Sequence, residues 1–120
     1  MKDYNPIRDK SKEFALRIIK LYKYLTINAE TREYVLSKQV LKSGTSVGAN
    51  IKEALRAQTT ADFRAKMNIA LKEASETEYW LELLHESDYI DDLSFDSIMN
   101  DNIELIKIFT SIVKNTVCNK

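Results

Sequence analysis

The chain contains few glycines and prolines, which interrupt helices, and few cysteines and histidines, which often form disulfides, metal sites and catalytic sites. Its 120 residues include two glycines, one proline, one cysteine and one histidine. So few breakers leave little turn chemistry, which predicts long helices joined by short connections. The lone cysteine, Cys118, has no partner for a disulfide within the chain, which favours a reducing, cytoplasmic location.

An excess of charge of either sign is also absent. Lysine plus arginine number 18 and aspartate plus glutamate number 18, so the formal net charge is zero. This balance argues against tight, non-specific binding of nucleic acid, although it leaves room for a local basic patch. The N-terminus lacks the apolar core of a signal peptide, and no apolar run approaches the roughly 18 residues of a membrane span. We therefore expect no contact with a membrane.

The apolar pattern predicts four helices. Apolar residues recur in steps of three and four through residues 6–27, 32–57, 60–87 and 95–117. Helix-start signals precede these segments: Asn5 before Pro6, Thr31, Thr59 with Asp62, and Ser94. Four helices with short connections predict an all-α, up-down-up-down antiparallel four-helix bundle in one domain, residues 1–120.

The fourth predicted helix has an apolar surface wider than a single core stripe. One stripe contains Ile98, Leu105, Phe109 and Ile112, and a second lies beside it: Met99, Ile103, Ile106 and Val113. Together they span roughly 220° of the helix, about double what one core-facing stripe needs. The helix is either seated deeply in its own bundle or covered by another subunit. We favour the second stripe as a surface for self-association.

Both glycines, Gly44 and Gly48, lie in one uncharged run, Ser43–Ile51, within the second predicted helix. A glycine inside a helix costs roughly 0.5–1 kcal/mol relative to alanine. Close approach of another backbone is the simplest explanation for keeping two of them.

Placed on a helix, this run has two shoulders beside the core stripe. Gly44 and Gly48 form the small-residue shoulder, and Ser46, Asn50 and Glu53 form the polar one. The polar groups either satisfy one another at an interface and fix its register, or they form a ligand or partner site. The candidate interface residues of this helix are therefore Ser43, Gly44, Ser46, Gly48, Asn50 and Glu53.

The segment Ser37–Ala54 resembles the signature helix of the four helix bundle protein family. Members of that family are encoded within intervening sequences of bacterial 23S ribosomal RNA genes and elsewhere in bacterial genomes. The likeness continues through Ala61–Phe63, Ile69–Ala74 and Glu76–Leu81. Many members carry proline at the position of Gly48 and glycine at that of Ala54, so those two backbone details are not carried over.

The resemblance implies an all-α bundle that forms a homo-oligomer, with a pentamer as the expected assembly. The related accessory proteins of diversity-generating retroelements are pentameric barrels that bind a reverse transcriptase and RNA through basic surfaces. By this resemblance the expected partners are further copies of the chain and a protein or an RNA–protein assembly. Most members have no established biochemical activity.

Motifs for catalysis are missing from the sequence. We find no phosphate-binding glycine loop, zinc spacing or dinucleotide fingerprint, and the single histidine has no sequence-level link to a nucleophile. Glu82-x-x-His85 matches one element of di-iron bundles, which need a second such element and two further glutamates. We therefore expect no enzymatic activity, no cofactor and no small-molecule substrate, and we keep a metal-binding bundle as a remote alternative.

Basic residues on the second helix give local support to nucleic-acid binding. Lys38, Lys42, Lys52 and Arg56 lie there, interleaved with acidic residues as on an ordinary solvated surface. A basic face could still form if oligomerisation gathers one side of each subunit. The expected function is a cytoplasmic, homo-oligomeric scaffold or accessory protein, with direct RNA or DNA binding as the alternative.

Overall fold

The computed structural model describes residues 5–28 and 30–117, which form four α-helices and no strand. The helices are α1 (Pro6–Ile27), α2 (Leu36–Ala54), α3 (Thr60–Glu86) and α4 (Asp92–Asn115). Helix α2 packs against α1 and α3, α3 packs against α4, and a smaller contact joins α1 to α4. The all-α class that the sequence predicts is confirmed. Cys118 lies outside the described residues.

Two helix starts have the predicted caps. The side chain of Asn5 accepts a hydrogen bond from the Arg8 backbone N–H at 3.1 Å, and Pro6 opens α1. The Thr59 hydroxyl accepts one from the Asp62 N–H at 3.0 Å at the start of α3. Each cap satisfies a backbone donor that the first turn of a helix leaves without a partner.

The predicted start of the second helix near residue 32, with Thr31 as its cap, is wrong. Helix α2 begins at Leu36, because Arg32 has a φ of 41°, outside the helical region. The Glu33 carboxylate supplies the first-turn acceptor instead, taking a hydrogen bond from the Ser37 N–H at 2.7 Å. The helix also ends at Ala54, three residues before the predicted end at 57.

The predicted start of the fourth helix near residue 95, with Ser94 as its cap, is also wrong. Helix α4 begins at Asp92, and Asp91 is its N-cap. The Asp91 carboxylate accepts a hydrogen bond from the Ser94 N–H at 2.7 Å. Hydrogen bonds from the backbone and the side chain of Ser94 hold the pKa of Asp91 below its usual value.

The core runs the length of the bundle and includes a few polar side chains. Its largest fully buried apolar side chains include Phe14, Ile18, Ile51, Met67, Leu81 and Phe109. Among the buried polar groups, the Thr77 hydroxyl donates to the Ser43 hydroxyl at 2.8 Å, which joins α3 to α2. The Asn102 amide donates to the Ala74 carbonyl at 3.0 Å, which joins α4 to α3.

None of the helices in the described ranges is long and apolar enough to cross a membrane.

Candidate functional site

The two glycines of α2 turn toward α1. A Cβ atom built on Gly44 would lie 2.8 and 2.9 Å from the two γ carbons of Ile18, so a side chain there would displace Ile18. At Gly48 the nearest atom would be the Ser11 carbonyl oxygen at 3.4 Å, an ordinary contact. Both glycines therefore lie where α1 approaches closely, but only Gly44 excludes a methyl group.

The side chains of the polar shoulder contact α3 and other residues of α2. The Asn50 amide donates to the Ser46 carbonyl oxygen at 2.8 Å. The Glu53 carboxylate pairs with Lys66 of α3 at 3.2 Å, and the Ser46 hydroxyl acts to lower the pKa of the Glu73 carboxyl on α3. These contacts support an interface within the bundle over a ligand site on this shoulder.

Glu73 faces the same seam between α2 and α3. Burial raises the pKa of its carboxyl above the usual value, and the charge of Glu76 raises it further. Lys42, the Ser46 hydroxyl and Lys72 act in the opposite direction. The positive charge of Lys42 is therefore partly neutralised by a neighbouring carboxylate.

A groove of about 700 Å³ lies between α1 and α2, on the glycine side of α2. Small residues form its floor: Ser11, Ala15, Thr45, Gly48 and Ala49. Its rims carry two basic pairs: Arg8 and Lys12 on α1, and Lys52 on α2 with Arg56 in the turn after that helix, with Leu55 beside them. Within the described residues no carboxylate lines this cavity, which we call the basic groove.

The basic groove contains two of the four nucleic-acid contacts predicted from the sequence. Lys52 and Arg56 line it, whereas Lys38 and Lys42 lie elsewhere on α2. The α1 side of the groove was missing from the prediction, because sequence reasoning did not pair α1 with this face of α2. The available signal was the repeated spacing of four residues between basic side chains on both helices.

The predicted oligomer face lies along α4. Met99, Ile103, Ile106 and Val113 are all half-buried. Three of them also pack against the core of the same subunit, the exception being Ile103. We call these four residues the α4 row.

His85 contacts Asp92 and Phe95 and does not belong to a group of metal ligands among the described residues. Its Nε2 atom lies 2.6 Å from an Asp92 carboxylate oxygen, and its ring stacks on Phe95 with 4.0 Å between centroids. Glu82 is exposed to solvent. In the part of the chain that the structure describes, histidine, cysteine, aspartate and glutamate form no group of three or more that could hold a metal ion.

Comparison with known proteins relates the chain to one family. Residues 4–111 match the model of the 23S rRNA-intervening sequence protein. The chain is also similar to a protein of unknown function from the S23 ribosomal protein family of Bacteroides thetaiotaomicron VPI-5482, whose crystal structure superposes with a TM-score of 0.87. The two are 56% identical over 91% of this chain and 99% of that one. No curated protein matches the chain. The chain belongs to the 23S rRNA-intervening sequence protein family.

Proposed function

We propose that this protein is a non-enzymatic, homo-oligomeric helical scaffold that holds a protein or an RNA–protein partner. The α4 row carries the proposal, because its apolar side chains are only partly buried on a single subunit. Covering such surface with another copy gains roughly 25 cal/mol per Å² of apolar area removed from water. Covering the wide apolar arc of α4 with another copy is therefore more favourable in free energy than leaving part of it in contact with water.

We infer an up-down-up-down order for the four helices. The connections from α2 to α3 and from α3 to α4 have five residues each, which reach about 17 Å. The helices that they join are about 28–40 Å long, so the chain has to turn back after each one. A cytoplasmic location is proposed from the lone cysteine, and an assembly of five subunits from the family resemblance.

Size-exclusion chromatography with light scattering tests the self-association. The wild-type protein is expected to have a mass several times the 13.9 kDa of one chain. The variant Ile103→Lys places a charge in the middle of the α4 row and is expected to shift the mass toward that of the monomer.

Leu16→Lys is the matched control for this experiment. It makes the same kind of change at an apolar side chain on α1 that is 52% exposed, outside the α4 row. Its mass should equal that of the wild type. A wild-type protein that is monomeric at micromolar concentration would contradict the scaffold proposal.

Direct binding of RNA or DNA through a basic face of the assembled oligomer is a second candidate function. The basic groove favours it, because two arginines and two lysines line one cavity. Such binding would weaken steeply as salt rises, since contacts with phosphates release counterions. If the wild-type protein fails to associate with any RNA or DNA at low salt, this candidate is wrong.

A further inference from the structure

The basic groove arranges its charges as two facing rows. Arg8 and Lys12 are four residues apart on α1, where four residues advance the helix by about 6 Å. On the other rim Lys52 lies in the last turn of α2 and Arg56 in the turn that follows the helix, so each rim presents two positive charges. Successive negative charges on an extended strand can meet both rows at once.

Three of these four cations form no ion pair within the described part of the subunit, and Glu53 and Asp62 line an adjoining cavity together with Lys52 and Arg56. Arg8 pairs with Asp9 at 3.0 Å. Lys12, Lys52 and Arg56 form no ion pair among the described residues, unlike Lys66, which pairs with Glu53. Their charge therefore remains available to an anion in the groove.

The floor of the groove indicates what kind of anion fits. It is built from small residues, and among the described residues Leu55, 40% exposed, is the one large apolar side chain of the lining. Peptide recognition usually relies on pockets that hold apolar or aromatic anchors. Stacking of nucleic-acid bases needs aromatic side chains, and the lining contains none among the described residues. Recognition in this groove therefore depends on phosphate charge rather than on bases or apolar anchors.

The width of the groove favours one strand over two. Helices that pack with small residues at the contact have axes about 8 Å apart, and here a Cβ atom built on Gly48 would lie 3.4 Å from the Ser11 carbonyl oxygen. A single backbone can lie along such a floor between the two rims, whereas a duplex would contact only the rims. We propose that the basic groove binds the phosphodiester backbone of single-stranded nucleic acid without reading its bases. This inference rests on the second candidate function above.

Fluorescence anisotropy with a labelled oligouridylate tests the inference on the wild-type assembly. Three to four phosphate contacts on a single strand give a slope of log K against log salt of about −2 to −3. Affinity should therefore fall roughly 20- to 50-fold between about 50 and 200 mM salt. An oligothymidylate should bind similarly, because the backbone phosphates are shared.

Two double variants distinguish the groove from general surface charge. Lys52→Gln with Arg56→Gln should weaken binding roughly tenfold or more at low salt and reduce the salt slope by about 1.4. Lys20→Gln with Lys23→Gln removes the same charge from exposed positions of α1 outside the groove and should change affinity less than about threefold. Circular dichroism and mass measurements verify that both variants fold and assemble as the wild type does.

The possible results distinguish the assignment of binding to the basic groove from the proposal that the protein binds nucleic acid at all. If both double variants bind like the wild type, the groove assignment is wrong while nucleic-acid binding stands. If the wild type binds no nucleic acid, both are wrong. Equal affinity for a duplex overturns the preference for a single strand, and equal affinity for polyglutamate overturns the assignment to phosphate.

Discussion

At the scale of single residues, the two glycines of α2 have different roles although the sequence presents them alike. Gly44 is buried against the branched side chain of Ile18, and Gly48 faces the backbone of Ser11 at the floor of the basic groove. Helical spacing places both on one shoulder. Their difference depends on what α1 presents to each, which no local pattern in α2 contains.

Substituting each glycine with alanine is expected to change stability in opposite directions. Gly44→Ala should lower the free energy of unfolding, because overpacking costs about 1–3 kcal/mol and exceeds the helix-propensity gain of up to about 1 kcal/mol. Gly48→Ala should raise it by about 0.5–1 kcal/mol, because a methyl group fits there. Urea denaturation measures both, and a destabilised Gly48→Ala would show that the approach to Ser11 is tighter than the structure gives.

At the scale of the helices, the seam between α2 and α3 depends on a buried hydrogen bond. The Thr77 hydroxyl donates to the Ser43 hydroxyl, and both side chains are buried. Thr77→Val keeps the shape of the side chain but leaves the Ser43 oxygen without that donor. A buried polar group that loses its partner costs about 1–3 kcal/mol.

A double-mutant cycle tests this bond. We expect Thr77→Val and Ser43→Ala each to lower the free energy of unfolding, and the double variant to lose clearly less than their sum. The reason is that the second substitution removes the polar group that the first one leaves unpaired. Additive losses in urea denaturation would show that the two hydroxyls contribute independently.

Helix boundaries were predictable where the cap is local. Asn5 and Thr59 each precede the N–H group that they cap by three residues, and the sequence identified both. Thr31 failed as a cap because its hydroxyl instead donates to the Leu25 carbonyl at the end of α1. Ser94 failed because Asp91, three residues earlier, already accepts its N–H. In both failures the choice among several capping residues depended on how the chain turns between two helices.

At the scale of the whole molecule, the sequence predicted the fold better than the groove. Apolar spacing within each helix is enough to predict an all-α bundle. The basic groove needs two helices, and its α1 side, Arg8 and Lys12, became evident only when α1 was placed beside α2. Neutral overall charge concealed this local concentration, because acidic residues elsewhere balance it.

Salt is expected to separate the two proposed activities in one sample. Self-association through the apolar α4 row should give the same mass at about 50 and about 200 mM salt, because apolar burial is not screened by ions. Binding of single-stranded nucleic acid should fall over the same range. Light scattering and anisotropy measure the two effects, and a mass that falls with salt would indicate that ion pairs hold the assembly.

The contact between Gly44 and Ile18 also restricts how this sequence can change over generations. A side chain at position 44 would lie 2.8 and 2.9 Å from the γ carbons of Ile18. Shortening Ile18 alone leaves a cavity, because its side chain is fully buried. A change at either position alone is therefore destabilising, and in descendants of this chain the two positions should change as a pair.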